Sequence, residues 1–411
     1  MDGQVRDAKR LAWRTPTIII LAGCLIGLIT FGPRSIMGLF LGPMTIENNW
    51  SRETFALAIA VQNLLWGLGQ PMAGVIADRF GTAKVVAFGA LAYAGGLALM
   101  AYSDTPILLN MSAGLLIGFG LSGSAMFLVL SSFAKLLPAS QRSLAFGLGT
   151  AAGSMGQFVF APLGVAFIDA YGWQTTLLIM AAIILVVPLL AGVLRSDPAE
   201  EAAQPGGSQS VMEALSEAFQ HKSYNLLVIG FFVCGFHVAF ITTHLPPFLA
   251  DEGIDPAWGG WAIAIIGLFN VFGAFTSGVL SGRMPKPQLL VYIYSARSVV
   301  ILLFLLAPVS PFSVILFSAA IGLLWLSTVP PTSALVAVMF GTRYMATLYG
   351  FVFFSHQVGA FLGVWLGGRL FDTFGSYDVV WWLSVALGVF AALIHWPIKD
   401  APVRRLAAQS A

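Results

Sequence analysis

Read from one end to the other, the chain alternates long apolar runs with short polar breaks, and twelve of the runs are long enough to cross a hydrocarbon core of about 30 Å. They cover residues 16–43, 53–77, 83–102, 106–134, 143–168, 174–194, 224–249, 257–281, 288–308, 311–338, 344–369 and 377–397. None shows the two-residue alternation of a barrel strand. A bare peptide group finds no partner in hydrocarbon, so a long apolar run must satisfy its backbone internally, as a helix. The expected fold is an all-α membrane protein with twelve transmembrane helices, numbered here as spans one to twelve.

The polar breaks are short except between spans six and seven, where residues 196–223 contain the flexible stretch Gln204-Pro-Gly-Gly-Ser-Gln. Ser210 followed by Glu213 is a capping-box pattern, which predicts a short amphipathic helix from Val211 to Gln220. The break divides the chain into a six-helix bundle over 1–195, a linker over 196–223 and a second six-helix bundle over 224–411. An internal repeat supports the division. Gly74-Val-Ile-Ala-Asp-Arg79 aligns with Gly278-Val-Leu-Ser-Gly-Arg283 at an offset of 204 residues, and Gly164, Asp169 and Gly172 align with Gly367, Asp372 and Gly375 at 203. The two bundles are therefore expected to be pseudo-symmetric.

Composition confirms the solvent. Of 411 residues, 58% are hydrophobic and only 9% charged, against about a quarter charged in an ordinary globular domain. Sixteen of the twenty lysines and arginines fall on one side of the predicted topology, which places both termini in the cytoplasm. That distribution also explains the small positive net charge without invoking nucleic acid. Leu21-Ala22-Gly23-Cys24 resembles a lipoprotein cleavage box, but the apolar run continues to Gly42 and cleavage would destroy the first span. Cys24 and Cys234, both inside apolar runs, are too few for a disulfide framework or a metal quartet.

The loop after span two reads Gly74-Val-Ile-Ala-Asp78-Arg79-Phe-Gly81-Thr-Ala-Lys84. Its glycines permit a tight turn and Asp78 can pair with a cation or a helix N-terminus, so the segment is either a latch between conformational states or a merely topogenic loop. It resembles the loop signature of the major facilitator superfamily, and with twelve spans and the repeat the resemblance extends over essentially the whole chain. Within that superfamily, residues Gln141 to Gln157 at span five and Ile265 to Asn270 in span eight are similar to monocarboxylate transporters and oxalate:formate antiporters. The resemblance implies alternating access, with the solute site between the bundles near mid-membrane. It implies no cofactor. The proton-coupling pair of the monocarboxylate branch, an Asp and an Arg four residues apart in span eight, is replaced here by Asn270 and Ala274. The span-eleven lysine of the oxalate:formate branch has His356 in its region.

Charged groups inside a membrane cost ~2.5 kcal/mol or more, so each invites a role. Arg34, halfway along span one beside Gly32 and Pro33, is the leading anchor for a substrate anion, since a guanidinium presents a planar fork that matches a carboxylate. The alternative is a bond to backbone carbonyls, which is the favoured reading for Arg297 in span nine. All eighteen carboxylates lie in loops or at span ends, so a proton carrier at mid-membrane would have to be a histidine. His237 and His244, seven residues apart on one face of span seven, and His356 in span eleven are the candidates. Each is otherwise an interhelical hydrogen-bonding group. Gln62, Asn63, Gln157, Asn270 and Gln357 either line the pathway or tie helices together. Pro246-Pro247 and Pro330-Pro331 should kink or unwind spans seven and ten.

The expected function is transport of a small organic anion, with or without protons, by a monomer in a bacterial-type inner membrane. The binding set is Arg34, His244, His356, Gln357, Asn270, Gln62, Asn63 and Gln157, proton coupling falls to His237, His244 or His356, and gating to Gly74, Asp78, Arg79 and Gly81. Efflux of an amphipathic compound is the rival within the class. A membrane-bound enzyme or a sensor is the rival outside it, and no nucleophile-base pair, metal cluster or sensory domain supports either.

Overall fold

The computed structural model describes residues 14–124, 126–195, 210–341, 344–403 and 405, and among these every regular element is a helix. Ten helical runs are long and apolar enough to cross a membrane. One of them, Leu144–Leu194, is two spans. The helix Ala139–Ile184 contains Gly172 at φ 77, ψ 165, where the chain leaves the helical region and span five ends. Only glycine enters that conformation at little cost. Span two, Arg52–Phe80, is the remaining one, its hydropathy lowered by Gln62, Asn63 and Gln70. The fold is thus the expected twelve-helix arrangement in two six-helix bundles.

Several spans are discontinuous. Span one runs as Pro16–Ser35 and then Gly38–Glu47, interrupted just after Pro33. Span four contains a π-helical turn, Asn110–Leu116, before Ile117–Ser124. Span ten is split into Pro311–Leu324 and Val329–Phe340. Here Pro330-Pro331 begins the second helix rather than bending a continuous one, a position where the missing N–H costs nothing. Pro246-Pro247 instead lie within the unbroken helix Lys222–Asp251 of span seven. The linker helix forms as Val211–Gln220, with Ser210 and Glu213 making both bonds of the capping box.

Helices approach closely where glycines leave no side chain between them. Spans three and four meet at Gly89, Gly120 and Gly123, where an added Cβ would fall on the opposing backbone. The bundles meet the same way: Gly38 faces the carbonyls of Thr242 and Thr243, Gly67 faces Gln357, and Gly368 faces Arg52 and Glu53. These contacts bring spans one and two against spans seven and eleven, which sets the geometry of everything polar between them.

Candidate functional site

The break in span one leaves Arg34 in the last turn of a helix that stops partway along the span. A cation is favoured at that end by the helix dipole. Its Nη2 donates to Asn63 Oδ1 at 2.9 Å, and the guanidinium carbon lies 4.5 Å from the Trp66 ring centre and 5.6 Å from that of Phe31. Among the described residues no carboxylate pairs with it. Arg34, Gln62, Asn63, Gly38, Thr242 and Thr243 line a cavity shared by the two bundles, with about 10 Å³ of room for the centre of a water-sized sphere. That is the space of roughly one water molecule.

The hydrogen-bond accounts around this cavity do not balance. Arg34 Nε, Trp66 Nε1 and Gln357 Nε2 are all buried and all without a partner. All three are donors, so what is missing is an acceptor. Gln357 Oε1 is already taken by His356 Nδ1 at 3.1 Å, which leaves the amide nitrogen as the free end. The buried Tyr93 hydroxyl of span three, also unpartnered, is within electrostatic reach of Arg34. A buried unmatched donor costs roughly 1–3 kcal/mol, so several near a lone cation mark a place built for something else to complete.

On the side of Arg34 toward the start of span eleven, aromatic rings cross between the bundles. Trp66 meets Phe353 edge-on at 5.5 Å, Phe127 meets Phe353 at 5.6 Å and Tyr349 at 6.0 Å, and Phe353 stacks on His356 at 5.6 Å. This is a thin, mostly apolar partition.

The opposite end, poor in lysine and arginine, is closed by charges. Arg52 holds Asp251 of span seven with both terminal nitrogens, at 2.6 and 2.7 Å, donates to the Tyr377 hydroxyl at 2.9 Å and lies 3.8 Å over Phe371. Asp372 accepts from the backbone N–H groups of Arg52 at 3.1 Å and Glu53 at 2.7 Å, so a residue of one bundle caps the first turn of a helix in the other. Glu53 in turn receives Trp365 at 3.1 Å and Arg369 at 3.0 Å. None of these residues is among those expected from the sequence to bind, couple or gate. The signal for them was that Arg52 and Arg369 stand against the charge asymmetry of the loops, and that Asp372 belongs to the repeat.

Other predicted residues are bonded to neighbouring helices or lie away from the cavity. Gln62, although it lines the cavity, donates to the Ala113 carbonyl at 2.9 Å. Gln157 donates to Ile263 at 3.0 Å, and Asn270 is used at both ends, by Ser154 Oγ at 2.8 Å and by the N–H of Leu326 at 3.0 Å, across the break in span ten. His237 bonds to the Ser384 carbonyl at 2.8 Å, inside its own bundle. The face of span seven that meets the cavity carries Ala239, Thr242 and Thr243 instead. Arg297 donates to the carbonyls of Leu324 (3.0 and 2.6 Å) and Trp325 at the end of the first half of span ten, a structural bond to backbone. The segment expected as a loop after span two is helical up to Phe80, because the helix Arg52–Phe80 runs on until Gly81, at φ 94, ends it and the next helix starts at Thr82. Within that segment Gly74 faces open space and Arg79 lies 5.4 Å over Phe80. The side chain of Asp78 lies outside the described residues.

A twelve-helix fold of two bundles, with a cavity between them that bears one arginine, is that of a multi-pass membrane protein. The sequence model of the Major Facilitator Superfamily matches residues 23–364, and the chain belongs to that superfamily. It is 26% identical to the uncharacterized MFS-type transporter YcxA of Bacillus subtilis over 96% of this chain and 97% of that protein. It is 25% identical to human monocarboxylate transporter 11 over 83% of this chain and 73% of that one. Among solved structures, the fold matches a bacterial homolog of the human lysosomal transporter Spinster (TM-score 0.73, 15% identity, 92% and 96% of the two chains). It also matches a D-xylose-proton symporter (TM-score 0.71, 16% identity, 94% and 99%). These relatives are transporters, and the chain is a transporter rather than an enzyme.

Proposed function

We propose that the protein is a secondary active transporter that carries a small organic anion, a monocarboxylate, by alternating access between the bundles 1–195 and 224–411. Both termini then lie in the cytoplasm of a plasma-membrane protein acting as a monomer, the amphipathic helix of the linker rests on the cytoplasmic surface, and the end of span two over Gly74, Asp78, Arg79 and Gly81 serves as a gate. The observation that carries the reading is the acceptor deficit at the cavity: a guanidinium with no carboxylate partner and an unpartnered Nε, together with two further buried donors, Trp66 Nε1 and Gln357 Nε2, that have no partner. A carboxylate supplies a negative charge and about four acceptor positions, and a guanidinium fork binds it in two places. The resemblance to proteins named monocarboxylate transporters agrees with this chemistry.

The room beside Arg34 is too small for any organic acid as the cavity stands, so binding requires the bundles to separate by the width of the substrate. That favours short, flat acids, which need the least opening. The test is uptake of labelled pyruvate, lactate, formate and oxalate into proteoliposomes, with and without a pH gradient. Uptake of at least one that is abolished by Arg34→Gln supports the reading. Acceleration by inward-directed protons indicates symport, and dependence on internal anion indicates exchange. Transport of none of the four, together with normal transport of a cationic or neutral solute by Arg34→Gln, would sink it.

A further inference from the structure

His244 differs from the other histidines within the spans in one respect: it is wired to the contact that closes the lysine-poor end. Its Nε2 lies 2.8 Å from the Val364 carbonyl of span eleven, and its Nδ1 lies 3.2 Å from the Tyr377 hydroxyl, which accepts from Arg52 at 2.9 Å. Arg52 belongs to the first bundle and the other members to the second. His237, by contrast, bonds only within its own bundle, and His356 bonds to its neighbour Gln357.

The protons in this chain can be assigned by counting. The Val364 carbonyl can only accept, so the Nε2 atom of His244 carries the proton. The neutral ring then offers Nδ1 as an acceptor, and the Tyr377 hydroxyl donates to it. That leaves the hydroxyl oxygen free to accept from Arg52. The closed arrangement thus fits a neutral His244 and has no place for a second ring proton. Protonating Nδ1 turns its bond to Tyr377 around, so that two cationic donors, from His244 and Arg52, aim at one oxygen. The hydroxyl proton is at the same time left to seek another acceptor. The ring has little freedom to turn away, because Phe240 and Tyr377 flank it at 5.7 and 5.2 Å and an added Cβ on Gly367 would overlap the imidazole.

We infer that His244 is a proton-binding site whose occupation, relayed through Tyr377 to Arg52, releases the clasp and opens the lysine-poor end. The inference rests on the alternating-access reading but not on the identity of the substrate. The charged and titratable groups around the relay are Arg52 and Glu53 on span two, Asp251 on span seven, Arg369 and Asp372 on span eleven, and Tyr377 and Asp378 at the start of span twelve. With a neutral imidazole the carboxylates outnumber the cations there. A proton on His244 adds a cation on the Arg52 side of Tyr377, which weakens the one bond that joins the relay to the other bundle. Since the closed state excludes the proton and the open state does not, a lower pH must favour opening.

The experiment measures opening without substrate. Spin labels on Asp104→Cys and Phe312→Cys, exposed positions at the lysine-poor end of the two bundles, report their separation in a Cys24→Ala, Cys234→Ala background in nanodiscs. Between pH 8 and about 5.5, where ordinary carboxylates remain ionised, the ratio of long to short distances should rise at least about threefold in the parent. His244→Gln, whose amide can still donate to Val364 and accept from Tyr377 but cannot gain a proton, should hold the high-pH distribution throughout. Tyr377→Phe keeps the histidine and removes the relay, and should lose more than half of the shift. A parent that does not respond to pH, or a shift that survives either substitution unchanged, overturns the inference. Because no anion is present, that outcome leaves the substrate assignment untouched, and failed uptake leaves this one untouched.

Discussion

Arg34 and Arg52 are carried by the same bundle, yet their surroundings are opposite. Arg52 meets a carboxylate in two places, a hydroxyl and an aromatic face, all from the other bundle, and its own helix N-terminus is capped by a second carboxylate from across the interface. Arg34 has one amide oxygen and two rings, and donors to spare. A cation whose acceptors come from the protein holds the protein together. One whose acceptors are missing holds something that arrives. The Arg52 and Asp251 side chains retain 19% and 35% of their exposure, so water weakens their pairing, whereas the cavity beside Arg34 has room for about one water molecule.

The comparison can be broken most decisively at the centre. Arg34→Gln removes the charge and the fork, and losing a charge-assisted pair of about 3 kcal/mol predicts a fall in substrate affinity of ~100-fold, read as the concentration dependence of uptake. Arg34→Lys separates charge from shape. It keeps the cation but loses the planar fork, so a fall of only about tenfold is expected, and an unaltered affinity would mean that charge alone is recognised. Arg52→Gln tests the other side. If the clasp only stabilises closure, substrate affinity at the centre should change little, while the open-to-closed ratio reported by the spin labels rises by a few-fold, as expected for a partly exposed pair worth about 1 kcal/mol. A loss of uptake matching that of Arg34→Gln, with no change in spin-label distances, would erase the distinction between the two arginines.

The smallest effect belongs to a place that is neither site nor clasp. Ser210→Ala removes the cap of Val211–Gln220 and should cost about 1 kcal/mol of local helix stability, visible as faster amide exchange in that segment, with uptake unaltered. Glu213 is held below the ordinary carboxylate range by the Ser210 backbone and side-chain hydrogen bonds. Its contribution is therefore present above the ordinary value and fades as pH falls through the lowered one, so amide exchange there should quicken in acid.

Much of this was legible in the sequence because a membrane leaves few choices. Twelve apolar runs could only be helices, the repeat set two bundles, and Ser210 with Glu213 announced a cap that forms. Arg34 stood out for the same reason, since an arginine in hydrocarbon must be explained. The polar amides were harder. Gln62, Gln157 and Asn270 look alike in sequence, and each bonds to a carbonyl, a hydroxyl or an N–H of a neighbouring helix, Gln157 through its nitrogen alone. Which way a helix is rotated depends on packing against its neighbours, and a single apolar run carries almost no record of it. The histidines of span seven illustrate the point: spacing put them on one face, but only the packing showed that the face turns from the cavity and toward Ser384 and Tyr377.

The chain's hydrophobic periodicity and its scarcity of charge were enough to decide that it spans a membrane twelve times, because the cost of an unsatisfied peptide group in lipid is local and can be read residue by residue. The pairing of Arg52 with Asp251, of Asp372 with the first turn of span two, and the lack of any such partner for Arg34 were decided by tertiary structure alone. They join residues some 200 to 320 positions apart, and whether a donor finds its acceptor is a property of the assembled bundles rather than of any segment within them.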